Sequence, residues 1–464
     1  MNDLDWLQVV SFESARTCLQ NAHLIEQASQ YLSRGDPESA LSIARSVLAS
    51  GGEGFTPYAR EVIADALDGL AVRCEELEDW EHALRWRKEL INHEPSALLP
   101  RLLLAEDMIM IGDYHSAEQE LWQLLSVCAR SIEGWTWLAR CALRRTHSLA
   151  QQQSADCKAA LRDLIRFTRQ SWQVLRKPKW IYYPSATVVR ITVEELYEAT
   201  FAALAWTGRV EQARHVIEAG IAVLGDDDGY LRRLRDSFSP RIQYHLGTSS
   251  LLSAIDHALV RHLLELSRQC DAITDLVHNH DYKQAFARLS ALPPNVDNLL
   301  GDWRAWSERW LLAHAAESAA HAKDIEAEIH YIARWHQLAP SEEFPLLRWG
   351  ELISTRDHKG ALRAFHRLLR RSPKYIEALL EVARVHYTRR RLRLARHFVV
   401  RAWQTLPSPD WCYYPSEAVV RDRLRKLFTL TQYLLAVNGH HEQTEQVRQM
   451  REALLGESVI SHSS

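Results

Sequence analysis

The sequence predicts an all-α solenoid of stacked helical pairs in two duplicated halves. Three observations predict it. Helix–turn–helix punctuation recurs along the chain, prolines fall at repeat spacing behind second helices, and a longer period relates the two halves of the 464 residues.

The punctuation is clearest at Gly112-Asp113-Tyr114-His115-Ser116-Ala117, which separates one apolar-periodic segment (Leu102, Leu104, Met108) from another (Leu121, Leu124, Leu125). Glycine takes the positive φ of a tight turn, aspartate caps the helix that follows, and the small Ala117 lets two helices approach. Glu78-Asp79-Trp80 with Ala83 lies 34 residues earlier, and Gly35-Asp36-Pro37 with Ala40 opens the series. Asp281-Tyr282, Lys323-Asp324 and Arg356-Asp357 continue it. Pro340, Pro373 and Pro407 lie 33 and 34 residues apart, each stopping a helix and starting the next unit. No strand-like alternation persists anywhere.

The longer period is carried by Trp180-Ile181-Tyr182-Tyr183-Pro184-Ser185, which returns 231 residues later as Trp411-Cys412-Tyr413-Tyr414-Pro415-Ser416. Upstream the offset is 245 (Asp36 to Asp281, Asp79 to Asp324) or 244 (Asp113 to Asp357), which places an insertion in the first half around His147 to Ala159, with a loop at Gln151-Gln152-Gln153-Ser154. The expected organisation is a first helical array at 1–225, a packed linker at 226–250, a second array at 251–456 starting with a helix from Leu251, and a disordered tail at 457–464. Each half carries about five helical pairs.

Composition supports a folded chain without a whole-molecule pull on nucleic acid: 47% of residues are hydrophobic, 25% charged, and the net charge is -3. The charge is unevenly spread. Residues 1–100 hold 17 acidic and 8 basic side chains, whereas 361–426 hold 16 basic and 5 acidic. The acidic end is itself a target for the basic one, through self-association or ring closure. The odd count of seven cysteines, without a C-x-x-C pair, argues against a disulfide framework or zinc ribbon and suits a reducing compartment. No signal peptide opens the sequence and no stretch reaches the roughly 20 apolar residues of a spanning helix, so a cytoplasmic protein without membrane attachment is expected.

No phosphate loop, dinucleotide fingerprint, nucleophile elbow or H-E-x-x-H zinc motif occurs, so neither enzyme activity nor a cofactor is expected. Asp226-Asp227-Asp228-Gly229 lacks the alternating ligands of a calcium loop and reads as a turn. The 22 histidines, including His314 and His321 on one helical face, are read as local hydrogen-bonding groups and not as a metal site. The 16 tryptophans are read chiefly as knobs between stacked pairs, with an exposed anchor patch as the rival; Trp303, Trp306 and Trp310 share a helical face. The doubled W-x-Y-Y-P-S segment reads as structural, with Ser185 and Ser416 capping the helices that follow. Its rival reading is a pair of recognition sites.

Arg389-Arg390-Arg391-Leu392-Arg393, continuing to Arg396 and Arg401, is either a solvated face or an anion-binding one. Guanidinium forks suit carboxylate and phosphate alike, and an acidic protein segment is favoured over nucleic acid.

The Gly112, Asp113, Tyr114, Ala117 turn and the Trp135, Leu138, Ala139 helix resemble the tetratricopeptide repeat family. The resemblance implies a TPR-like α-solenoid whose first helices line a concave groove, through positions that fall here at Glu133, Arg140 and Leu143 and again at Glu377, Arg384 and Tyr387. It also puts Trp310 on the groove. The Lys and Asn pattern of carboxylate-clamp members is absent. The expected function is a non-catalytic scaffold or adaptor that holds a partner peptide or protein, acidic segments being among the candidates, with Arg140, Arg384, Tyr387 and Trp310 as contacts. The alternative is nucleic-acid or polyanion binding through Arg389, Arg390, Arg391, Arg393 and Arg396.

Overall fold

A computed structural model describes residues 10–225, 229–237 and 244–456. The expected tail at 457–464 and Asp226-Asp227-Asp228 lie outside the described residues.

Helices follow one another in antiparallel pairs. The first five pairs are α1 (Phe12–Ser33) with α2 (Pro37–Ala49), α3 (Thr56–Glu76) with α4 (Trp80–His93), α5 (Leu99–Met110) with α6 (Tyr114–Val127), α7 (Ile132–Gln151) with α8 (Cys157–Val174), and α9 (Ala186–Trp206) with α10 (Val210–Leu224). Two short helices follow, α11 (Tyr230–Ser237) and α12 (Ser249–Leu252). Then come α13 (His257–His278) with α14 (Tyr282–Ala291), the one-turn α15 (Val296–Leu300), and α16 (Trp303–His321) with α17 (Ile325–Leu338). The last pairs are α18 (Glu343–Ile353) with α19 (His358–Arg371), α20 (Ile376–Thr388) with α21 (Leu392–Thr405), and α22 (Glu417–Val437) with α23 (His441–Leu455). The fold is all-α and TPR-like, as the punctuation predicts; among the described residues the only β pairing is two isolated bridges.

The aspartates act as expected. Asp36, Asp79 and Asp113 each accept the backbone N–H three residues on, and Asp281, Asp324 and Asp357 do the same. Each bond satisfies a donor that a helix start leaves unpaired. The turn ahead of the cap needs a left-handed residue. Gly112 supplies it at φ 84°, whereas Glu78, His280 and Lys323 occupy that region as non-glycine residues, at a steric cost the flanking helices absorb.

The chain packs as two compact units: residues 1–70 with 312–464, and residues 71–311. These units do not follow the halves 1–225 and 251–456, because the cuts fall inside α3 and α16. In the first unit the opening helices share a core with the closing ones: Ala22 and Ile25 of α1 belong to one apolar cluster with Leu424 and Phe428 of α22. The second unit is built around Leu138, Trp172, Leu196 and Leu263.

One local expectation holds and one is corrected. The turn expected at Gln151 to Ser154 falls at 152–156, and the extra residues around it lengthen the flanking helices, with α7 at 20 residues against 13 in α20 and α8 at 18 against 14 in α21. A helix tolerates such growth because each added residue makes its own backbone bond. The helix expected from Leu251 starts at His257, where Asp256 caps it, and Leu251 instead lies within the short α12 with its side chain buried.

Candidate functional site

The doubled W-x-Y-Y-P-S segment explains how the site is held. At the start of α7, Glu133 is buried, and its Oε1 accepts the backbone N–H of Ile181 (2.8 Å) and of Tyr182 (3.1 Å). At the start of α20, Glu377 is buried likewise, and its Oε1 accepts the N–H of Cys412 (3.1 Å) and of Tyr413 (3.2 Å). Burial pushes both carboxyl groups up to about 7. The family resemblance put these two glutamates on the groove; the structure buries them, because an irregular segment needs acceptors for its N–H groups and a first-turn carboxylate reaches them.

Each segment also docks onto a later or earlier pair. In the second unit Tyr183 Oη lies 3.4 Å from Thr274 Oγ1, and Asp271 accepts the N–H of Ala186 at 2.8 Å. In the first unit Tyr414 Oη lies 3.1 Å from Ser29 Oγ, and Glu26 accepts the N–H of Glu417 at 2.8 Å. Ser185 and Ser416 cap α9 and α22 as expected. Deeper in, the indole N–H of Trp172 donates to Thr200 and that of Trp403 to Thr431.

In the first unit this frame adjoins two cavities beside the first helices of successive pairs. A cavity of about 650 Å³ lies among α18, α20 and α22, lined by Arg348, Glu351, Arg384, Tyr413, Asp422 and Lys426. A second cavity of about 450 Å³ adjoins it, sharing Arg348 and Tyr413 and walled by Ala316, Ala320, Ile332 and Phe344. Charges in the first cavity are matched. Arg348 pairs with Glu328 (2.6 Å) and Glu351 (3.2 Å), Arg384 with Glu381 (2.7 Å), and Lys426 with Asp422 (3.1 Å). Tyr413 donates its hydroxyl to Glu351 at 2.6 Å, and Arg423 sits 5.0 Å over its ring. Burial, then the Glu351 charge, pushes the Tyr413 phenol up, so it stays a donor.

The structure places the predicted contacts in three settings. Arg384 lines the larger cavity, and one turn on Tyr387 stacks on Tyr433 with ring centroids 5.8 Å apart. Arg140 is in the second unit, held by Glu106 (3.3 Å) and Glu195 (3.0 Å), which ties α5, α7 and α9 together. Leu143, its neighbour in the predicted groove set, is buried. Trp310, also in the second unit, is half-buried between His278 and a stacked Trp306 whose ring centroid is 6.0 Å away. The tryptophans divide: Trp172, Trp303 and Trp403 are core, while Trp122 and Trp306 are exposed. Arg389, Arg390, Arg391 and Arg393 are exposed at the α20–α21 turn, and Arg396 is half-buried on α21. His314 and His321 each lie 3.8 Å from Glu317.

Sequence reasoning missed Arg348, Glu351 and Asp422, and counted Lys426 only as the end of the basic stretch 361–426. Their signal was available as i,i+3 and i,i+4 charge pairs on first helices (Arg348 with Glu351, Glu381 with Arg384, Asp422 with Lys426).

No protein-family profile and no curated protein sequence matches the chain. Among solved structures it is similar to Naa15/Naa10 bound to HypK-THB, at 13% identity and a TM-score of 0.26, covering 96% of this chain and 69% of that one. It is similar to the P58(IPK) TPR domain at 15% identity and a TM-score of 0.24, covering 88% and 98%. It is similar to the human IFIT1 dimer with m7Gppp-AAAA at 11% identity and a TM-score of 0.23, covering 98% and 96%. None superposes closely, and the fold assignment rests on the helix pairing described above.

Proposed function

We propose that the chain is a non-catalytic protein-interaction scaffold that holds an extended or helical segment of a partner protein along the first-helix groove of the first unit. The carrying observation is the pair of adjoining cavities that share Arg348 and Tyr413, one polar and charge-matched, the other apolar. Their sizes suit side chains of a bound segment, and the mixture suits a peptide, which brings main-chain donors and acceptors together with apolar side chains. The groove helices are ordered before binding, so the partner bears most of the ordering cost. Arg384 and Tyr387 are the first contacts. Trp310 and Arg140 belong to the second unit, where Trp310 offers a partly exposed ring and Arg140 acts mainly as a structural tie.

The two halves are read as a tandem duplication. The twin bonds of Glu133 and Glu377, of Asp271 and Glu26, and of Trp172 and Trp403 support that reading, since each falls at the offsets found in the sequence. The cytoplasmic assignment rests on the cysteine pattern, and no helix among the described residues is long and apolar enough to cross a membrane.

A photo-crosslinking amino acid placed at Tyr387, and in a second variant at the exposed Glu38 of α2, tests the groove. The expected result is a cross-linked partner from position 387 and none from 38. Cross-linking from 38 alone removes the groove from the account.

A further inference from the structure

The second helices α19 and α21 carry a face that the groove does not explain. On α19, Lys359, Arg363, Arg367 and Arg371 recur every four residues and so form one stripe. On α21 and its preceding turn, Arg389, Arg393, His397 and Arg401 do the same. The two helices are neighbours: His366 of α19 lies against Phe398 of α21 with ring centroids 5.8 Å apart. No acidic residue occurs in either 358–371 or 389–405.

On α19 the repeat does not require this charge. The helix 244 residues before α19 is α6, which has no Lys or Arg and carries Glu118 and Glu120. Most of the charge is not neutralised either: Arg371 pairs with Glu343 at 3.5 Å, but the stripes otherwise differ from the groove, where Arg348, Arg384 and Lys426 each have a carboxylate partner. Lys359, Arg363 and Arg370 on α19, and Arg389, Arg390, Arg391 and Arg393 beside α21, have no carboxylate within ion-pair distance among the described residues. The nearby histidines register the excess. Burial, then Arg370 and Arg401, lowers His366; burial, then Arg391, His366 and Arg389, lowers His386. Like charges left this close cost stability, and a bound anion relieves the cost.

A cavity of about 320 Å³ opens between α17 and α19 at the edge of the first stripe. Ala333, Leu346 and Trp349 form its apolar wall, and Arg363 and Arg367 form its rim. No large aromatic side chain is exposed along the two stripes among the described residues, so the face offers no platform for stacked bases.

We propose that the α19–α21 face binds an acidic polypeptide segment, whose carboxylates meet the two arginine stripes and one of whose apolar side chains enters the cavity beside Trp349. The cavity separates this occupant from a nucleic-acid backbone, which has charge but no side chain to place there. Guanidinium forks take carboxylates in pairs, and an apolar anchor fixes the register that charge alone leaves loose. The site lies on different helices from the groove and stands whether or not the groove is occupied.

The test is fluorescence anisotropy on the full-length chain at low and physiological salt. Three labelled probes are used: a peptide of mixed Asp and Glu with one central Leu, the same peptide with Ala for Leu, and a DNA duplex. The Leu peptide is expected to bind, to weaken with salt, to bind about fivefold more tightly than the Ala peptide, and to lose about tenfold or more in the Arg363→Glu/Arg393→Glu variant. Both substitutions are on exposed helix surface, and circular dichroism checks that the variant folds. Arg268→Glu, on the exposed surface of α13 in the second unit, leaves the probe's affinity unchanged. Absence of binding at low salt, equal affinity for the Leu and Ala peptides, tighter binding of the duplex, or full retention by the double variant each overturns the proposal.

Discussion

Glu377 holds Tyr413 in place from beneath: its buried carboxyl accepts the Tyr413 backbone N–H at 3.2 Å, while the Tyr413 hydroxyl reaches Glu351 in the cavity that both side chains line. One side chain of α20 thus fixes an irregular segment that two cavities share. Because burial raises Glu377 to about 7, the folded chain binds a proton there that the unfolded chain releases near the ordinary glutamate value. The contribution of this group is therefore full below pH ~4.5 and is lost as pH rises through about 7. Relative to Glu377→Gln, which does not titrate, the wild type gains about 1 kcal/mol for each pH unit lowered across that window. Urea unfolding of both proteins at several pH values checks the slope, and Glu133→Gln gives the same trend.

Removing the hydroxyl beneath a buried indole has a defined cost. Thr431 accepts from Trp403 at 3.0 Å and donates to the Leu427 carbonyl at 2.7 Å. Thr431→Val leaves the indole N–H without a partner in a dry site, costing about 1–3 kcal/mol. Thr200→Val beneath Trp172 costs a similar amount, because the same two bonds are present. Chemical denaturation of the two variants measures both.

The two predicted groove arginines separate by stability. Arg140 stands between Glu106 and Glu195, and Arg140→Ala leaves two carboxylates facing each other, at a cost of about 2 kcal/mol. Arg384 is half-exposed with one carboxylate partner and the Ser354 hydroxyl, so Arg384→Ala costs under about 1 kcal/mol. Thermal unfolding of the single variants distinguishes the tie from the contact residue.

Docking of the first helix on the last pair is local enough to follow by hydrogen exchange. Glu26 caps the first turn of α22 through the Glu417 N–H, and His23 pairs with Glu417 at 2.8 Å. Glu26→Ala is expected to speed amide exchange in α1 and the first turn of α22, with α5 to α8 unchanged. Uniform exchange across the chain would contradict this assignment.

Much of the fold was legible because it follows local rules. Aspartate caps, turn residues and prolines name their own positions, and the offsets of 231 and 244 to 245 pick out the same side chains that make twin bonds. What was not legible depends on partners one repeat or more away. Arg140 looked like a free groove residue because its carboxylates, Glu106 and Glu195, lie on neighbouring first helices. Glu133 and Glu377 looked exposed because a regular repeat would leave them so; a segment after the next helix covers them. The three tryptophans of α16 share a face by spacing, yet Trp303 is sealed by a bond to Tyr183 while Trp306 stays open.

The groove claim is tested most directly by affinity purification from native lysate with the wild-type chain and with Arg384→Ala/Tyr387→Ala. The account predicts that the chain co-purifying with wild type falls about tenfold or more with the double variant, while helicity and unfolding midpoint stay close to wild type. Undiminished recovery of that same chain by a folded double variant would contradict it.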